Sequence, residues 1–370
     1  FLCTTYMVEN LKVHAELSLI SDDGLGSEYR ISLKSDSLKD TIPEAVADKI
    51  KNMPETENVY ATKYTMGELQ ISKNEFLSEE EWSDYFKYQN QEPYYIQRYD
   101  GICKQQEDGN YRIKYNVYGY DEAMIEQLRD FILEGEIQPE TIKNNNQVIV
   151  TANMDGQGNY FFYGKKPGDT ITLRVPKTEN YTDELLKFQS GEENYIEKEF
   201  EIAAIVNRPL AQEKDFLNTE VWKNAQSVIM TGEQMEENFG ITDYSFINAS
   251  PADSADAKIV SNQLLQVIRD VPKAVLQDYT TAIATQKGYL GQQQIFFSSI
   301  AVILLIISLF HIVNSMSHTI LTRRREYGII RAIGITDGGF YKMILQTGIL
   351  YGLLADVFIY LIYNRVLRRV

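Results

Sequence analysis

The spacing of apolar and polar positions changes several times along the chain, and each change predicts an element. Val13–Leu19 and Tyr29–Leu33 alternate in strand fashion on either side of a Gly-rich turn, Asp22 to Gly26. Ile42, Val46, Ile50 and Met53 recur at three- and four-residue steps, which predicts a helix with one buried face. Pro43 opens that helix where its missing N–H costs nothing, and Pro54 ends it. Asn58-Val59-Tyr60-Ala61 starts another strand, so residues 10–72 read as a βαβ unit. From about 90 to 235 the chain is strand-rich, at Tyr111–Tyr118, Gln147–Thr151, Thr170–Val175 and Lys198–Val206. Turns at Asp155–Gly158 and Pro167–Asp169 punctuate this stretch. A helix is expected over Glu122–Leu133, with Met124, Ile125, Leu128, Phe131 and Ile132 on one side. Residues 185–197 are polar, a loop or an exposed helix. A strand at Tyr244–Asn248 precedes a helix at Ala255–Val271 with Ile259, Leu264, Leu265 and Ile268 inward. Ala274–Gln294 then reads as a helical stalk continuing into a very apolar stretch.

That stretch, Ile295–Val313, has no acidic or basic residue except His311. As a helix its 19 residues reach about 28 Å, the thickness of a bilayer core. Met343–Tyr363 is long enough to span as well, with Asp356 in its middle, where a carboxylate must face a bundle interior or be protonated. Phe1–Val8 is short and apolar and lacks a basic flank, so it reads as the end of an earlier span rather than a signal peptide, and the chain as a fragment. Arg323-Arg324-Arg325 follows the strong span closely and sets this loop in the cytoplasm, with the body on the opposite side. Arg365, Arg368 and Arg369 pull the other way; the cluster abutting the stronger span decides.

Charge sharpens this division. Of the 370 residues, 36 are Lys or Arg and 52 are Asp or Glu, for a net charge of −16. From Gly291 onward stand 8 basic and 3 acidic residues, a charge of +5, which leaves −21 on residues 1–290. A body so acidic does not suit nucleic acid, whose phosphates need clustered Lys and Arg. Its acidity either serves solubility or attracts cationic ligands such as antimicrobial peptides.

Catalytic chemistry finds little to use. Cys3 and Cys103 are the two thiols, and His14, His311 and His318 the three imidazoles, with no CxxC and no zinc-ligand spacing. Gly158 to Lys166 evokes a phosphate-binding loop, but five residues separate the glycines and Lys166 stands where a hydroxyl should hold Mg²⁺, so it reads as a hairpin. No cofactor or metal site is expected. Tyr85, Tyr88, Tyr94, Tyr95 and Tyr99 cluster in one polar stretch, as packing residues or as an aromatic face for a peptide or sugar.

Between the spans lies an amphipathic segment. Tyr327, Ile330, Ile333 and Gly334 recur at helical steps, Gly334 is placed to end the helix in a left-handed conformation, and Thr336 to cap the next one. The run Arg324-Arg325-Glu326-Tyr327-Gly328-Ile329-Ile330-Arg331-Ala332-Ile333-Gly334 resembles the FtsX/MacB-type permeases of ABC transporters, in the branch with a large extracytoplasmic domain. Gln346 stands where many members carry Glu at the start of the third span. The resemblance implies an α+β extracytoplasmic domain, a βαβ-containing part plus a strand-rich part, on stalk helices continuing into transmembrane α-helices. Its expected organisation is the end of a first span (1–9), the outer domain (10–273, insert about 90–235), a stalk (274–294), a span (295–313), a coupling segment (314–342), a further span (343–363) and a short truncated loop (364–370). It implies that Arg324, Arg325, Glu326, Ile329, Ile330, Arg331, Ile333 and Gly334 dock on a separate ATPase subunit, so that this chain is not itself an enzyme. Partners implied are that ABC ATPase, a second identical or homologous permease copy, membrane lipid and a peptide or antibiotic substrate, in a bacterial plasma membrane. His311 and Asp356 are the intramembrane polar positions. The competing expectation is a signalling module that senses a peptide or controls a cell-wall hydrolase.

Overall fold

The computed structural model describes residues 27–35, 37–75, 100–154, 159–189, 191, 193–210, 227–346 and 348–350. The expected strand Val13–Leu19, the turn after it, the end of a first span, the tyrosine cluster, the Asp155–Gly158 turn, Asp356 and the Arg365–Arg369 cluster lie outside the described residues. The chain divides into two compact units between Gly288 and Tyr289.

The first unit is a mixed α/β fold. It opens with β1 (Tyr29–Leu33), α1 (Glu44–Lys51) and β2 (Thr56–Ile71), then β3 (Cys103–Gln105) and β4 (Tyr111–Tyr120). Next come α2 (Glu122–Gln127), β5 (Ile132–Gly135), α3 (Pro139–Asn144), β6 (Gln147–Thr151) and the hairpin of β7 (Asn153–Met154) and β8 (Tyr160–Phe161). It continues with β9 (Thr170–Pro176), β10 (Tyr195–Val206), β11 (Ser227–Thr231), α4 (Gly232–Phe239), β12 (Phe246–Pro251), α5 (Ala257–Val267) and β13 (Ala274–Asp278).

Sixteen-residue β2 organises this unit because its two halves serve different sheets. Its first half pairs antiparallel with β12, and the order β13–β1–β12–β2 makes a sheet covered by α1 and α5. Its second half pairs with both β4 and β9. Pairing then runs β9–β10–β6–β11–β4 and back to β2, which closes six strands on themselves and leaves no free edge among them. Each sheet has its own apolar cluster. Tyr29, Ile31, Ile50, Ile247 and Leu264 lie in the first, and Leu69, Ile113, Val117, Ile149, Leu173 and Ile202 in the second.

Several elements differ from expectation. The helix at Glu122 ends at Gln127, becomes a 3-10 turn (Leu128–Phe131) and then the strand β5, because Ile132 pairs with Val206. The α5 helix buries Val260 and Leu264 but leaves Ile259 and Leu265 exposed. Ala274–Asp278 is a strand rather than the start of the stalk, since it pairs along the length of β1. The polar stretch from 185 holds a 3-10 turn, Asp183–Leu186, and then enters β10 at Tyr195.

Helix α6 runs from Thr280 to Thr322. Gly291–Thr322 within it is long and apolar enough to cross a membrane, and among the described residues no other helix is. Helix α7 (Arg324–Ala332) and a helix over 337–346 follow.

Candidate functional site

The segment after α6 folds around a break in the helix. The Arg323 N–H still donates to Thr319 O, and α7 starts at the next residue. It ends at Gly334, whose φ of +104° is a conformation that side chains with a β-carbon rarely adopt. Thr336 then accepts at its Oγ1 from the Gly339 N–H (3.2 Å), capping the following helix.

Four side chains hold the turn shut. Arg331 is ion-paired with Asp337 and lies over the Phe340 ring at 5.2 Å. Tyr327 meets the same ring edge-on at 5.4 Å. Expected to contact a partner, Arg331 is thus engaged within its own chain. Farther along, a β-carbon on Gly348 would sit 3.3 Å from Met316 Cε, so α6 and the chain around Gly348 pack closely.

What remains open is an apolar and charged face. Ile329 is 56% exposed and Ile333 80%, with Ile330 half-buried. Arg324, Arg325 and Glu326 are exposed on the first turn of α7, and no ion pair joins Glu326 to Arg323 among the described residues. An exposed isoleucine pair beside fixed charges can fill a groove on another protein and be oriented by its rim. His311 is exposed on the apolar part of α6. Among the described residues no cluster of His, Cys, Asp and Glu is arranged to hold a metal.

The first unit holds a second concentration of charge that the alternation pattern did not single out. Register places Glu68 of β2 opposite Lys114 of β4 and Arg174 of β9, one row across three strands. Neighbouring Leu69 is opposite Ile113 and Leu173, which point to the apolar interior. The charged row is therefore on the other face, yet its residues are only 1–3% exposed. The Lys114 ammonium donates to Glu68 Oε1 (2.6 Å), and Arg174 Nε is 3.4 Å from Glu68 Oε2. Burial lowers the Lys114 pKa below its usual 10.5, with Arg174 acting in the same direction and Glu68 opposing.

Segment 183–189 covers this row. Arg174 Nη2 donates to Gln189 O (2.6 Å), and Arg112 Nη1 reaches the same oxygen at 3.5 Å. Lys114 lies 4.2 Å from the centre of the Phe188 ring, and Arg174 3.7 Å from that of Tyr195. The Tyr195 hydroxyl donates to Leu185 O (2.9 Å).

Residues 298–363 match the family model of the FtsX-like permease C-terminal domain. No curated protein matches the chain. Among solved structures it is similar to the periplasmic region of MacB from Actinobacillus actinomycetemcomitans, at 9% identity over 72% of this chain and 97% of that one, with a TM-score of 0.39. It is also similar to the extracellular domain of the noncanonic ABC-type transporter YknZ from Gram-positive bacteria, at 9% identity over 68% and 100%, with a TM-score of 0.36.

Proposed function

We propose, from the premise that residues 298–363 are an FtsX-like permease C-terminal domain, that the chain is a permease subunit of an ABC transporter. In this reading Gly291–Thr322 crosses the membrane, α7 lies on the cytoplasmic side, and the acidic first unit stands outside. Arg323, Arg324 and Arg325, directly after the apolar helix, favour that orientation. A separate ATPase subunit hydrolyses ATP and docks on Arg324, Arg325, Glu326, Ile329, Ile330 and Ile333. Arg331 and Gly334 hold the turn that presents them. Movement of the ATPase passes along α6 to the outer unit, which acts on a peptide or antibiotic.

The observation that carries the reading is the family match, which includes both the apolar helix and the turn after it. The exposed Ile329 and Ile333 support a docking role, since burying two such side chains stabilises a complex by about 3 kcal/mol or more. The test is co-purification of the full-length protein with its ATPase from native membranes, with and without Ile329→Asp and Ile333→Asp together. The reading expects an ABC ATPase with the unsubstituted chain and at least a tenfold loss with the double variant. Equal recovery in both rejects the docking role.

A further inference from the structure

The covered face of β2, β4 and β9 buries more positive charge than negative. Two cations, Lys114 and Arg174, share the one carboxylate of Glu68, and all three are buried. Arg174 Nη1 has no hydrogen-bond partner. Asn116, two residues from Lys114 and on the same face, accepts at Oδ1 from the Tyr64 hydroxyl (2.8 Å), while its Nδ2 donates to nothing. A buried charge is costly unless paired, and an arginine keeps its charge. Glu68 Oε2, 3.4 Å from Arg174 Nε, makes no hydrogen bond either, so what the face lacks is about one negative charge rather than acceptor atoms.

What partly fills this deficit is a main-chain carbonyl. Gln189 O takes Nη2 of Arg174, and the ring faces of Phe188 and Tyr195 stand against the two cations. A single carbonyl oxygen satisfies one arm of a guanidinium whose other arm, Nη1, is buried and unused. A carboxylate carries two coplanar oxygens and one negative charge, which matches both arms and the charge deficit. Phosphate would bring more charge than the face lacks.

From this geometry we infer that the Glu68–Lys114–Arg174 face is a binding site for a carboxylate-bearing ligand, whose anion replaces the Gln189 carbonyl when segment 183–189 lifts. Arg174 binds the anion through both terminal nitrogens, and Asn116 Nδ2 is the further donor. Segment 183–189 is the cover that occupies the site without a ligand, held by its carbonyls and by buried Leu185 and Leu186. The inference stands apart from the ATPase docking proposed above, because every residue in it belongs to the first unit.

The experiment is calorimetric titration of the full-length protein in detergent with acetate, with acetyl-dialanine bearing a free C-terminal carboxylate, and with its C-terminal amide. The carboxylate peptide should bind at least tenfold more tightly than the amide. Arg174→Met should abolish that preference. Asn116→Asp places a carboxylate on the same face while keeping the acceptor for Tyr64. It should raise the melting temperature and abolish binding, and it decides the matter if Arg174→Met fails to fold. Equal binding of acid and amide, binding of neither acid, or an Asn116→Asp protein that melts lower and still binds would overturn the site.

Discussion

Most isoleucines are inside in one region of this chain and outside in the other. In the first unit Ile31, Ile113, Ile149 and Ile202 are at most 1% exposed, whereas on α6 Ile295, Ile303, Ile306, Ile307 and Ile312 are 45–69% exposed. Charge is distributed in the opposite sense. The first unit buries Glu68, Lys114 and Arg174, while Gly291–Thr322 has no Asp, Glu, Lys or Arg at all. Under the topology proposed above, the same side chain serves both regions because the solvent differs. In water an isoleucine is driven to the interior, and a helix with this many apolar residues facing outward is suited to an apolar surrounding. A buried charge in the aqueous unit is tolerable only because neighbours pair it.

The largest expected effect breaks the pairing side of this contrast. Glu68→Gln leaves Lys114 and Arg174 without their carboxylate, and thermal unfolding of the full-length protein should show a loss of about 3–5 kcal/mol. An unchanged melting temperature would mean that the row is not paired as described. Next, Ile113→Ala should cost about 2–5 kcal/mol, while Ile303→Ala should change stability by less than about 0.5 kcal/mol. Equal costs would remove the contrast between the two regions. Gly334→Val should follow, at about 1–3 kcal/mol of local strain from a β-branched residue at positive φ. Its readout is stimulated ATPase activity of the reconstituted complex, which should fall while the first unit melts normally.

The smallest effect is a dependence on pH. The Lys114 pKa is lowered in the folded state, so on the rise toward 10.5 the unfolded chain holds the proton that the folded one has shed, and stability increases with pH. Tyr29 and Tyr195 oppose this above about pH 10. Burial is the main cause that pushes both to about 12, and the unfolded chain loses their protons first. The difference in melting temperature between the wild type and Lys114→Met isolates the lysine. It should move in favour of the wild type as pH rises toward 10, and a flat difference contradicts the assignment.

How far the sequence could be read follows from where each element draws its stability. Helix α1 was legible because Val46 and Ile50 carry its buried face at local spacing and Pro43 marks its start. The end of α7 at Gly334 was legible because a glycine there has a local conformational reason. Ala274–Asp278 reads as helix in sequence because nothing nearby says that β1 is beside it, and Ile132 gives no sign of its partner Val206. The charged row was invisible for the same reason. Glu68, Lys114 and Arg174 come from three strands far apart in the chain, and alternation alone places such residues on the water side. Only the cover at 183–189 makes that side an interior. The docking residues were found by motif, but the engagement of Arg331 by Asp337 and Phe340 depends on how the chain turns after Gly334.

The topology proposed above puts the first unit outside the cell and the turn after α6 in the cytoplasm. The direct measurement replaces Glu107 or Thr336 by cysteine, both exposed, in a full-length protein with Cys3 and Cys103 changed to alanine. Intact cells are then treated with a thiol reagent that cannot cross the membrane. With that topology position 107 is labelled, and position 336 is not until the cells are opened. Labelling at position 336 on intact cells, with position 107 protected, would contradict it.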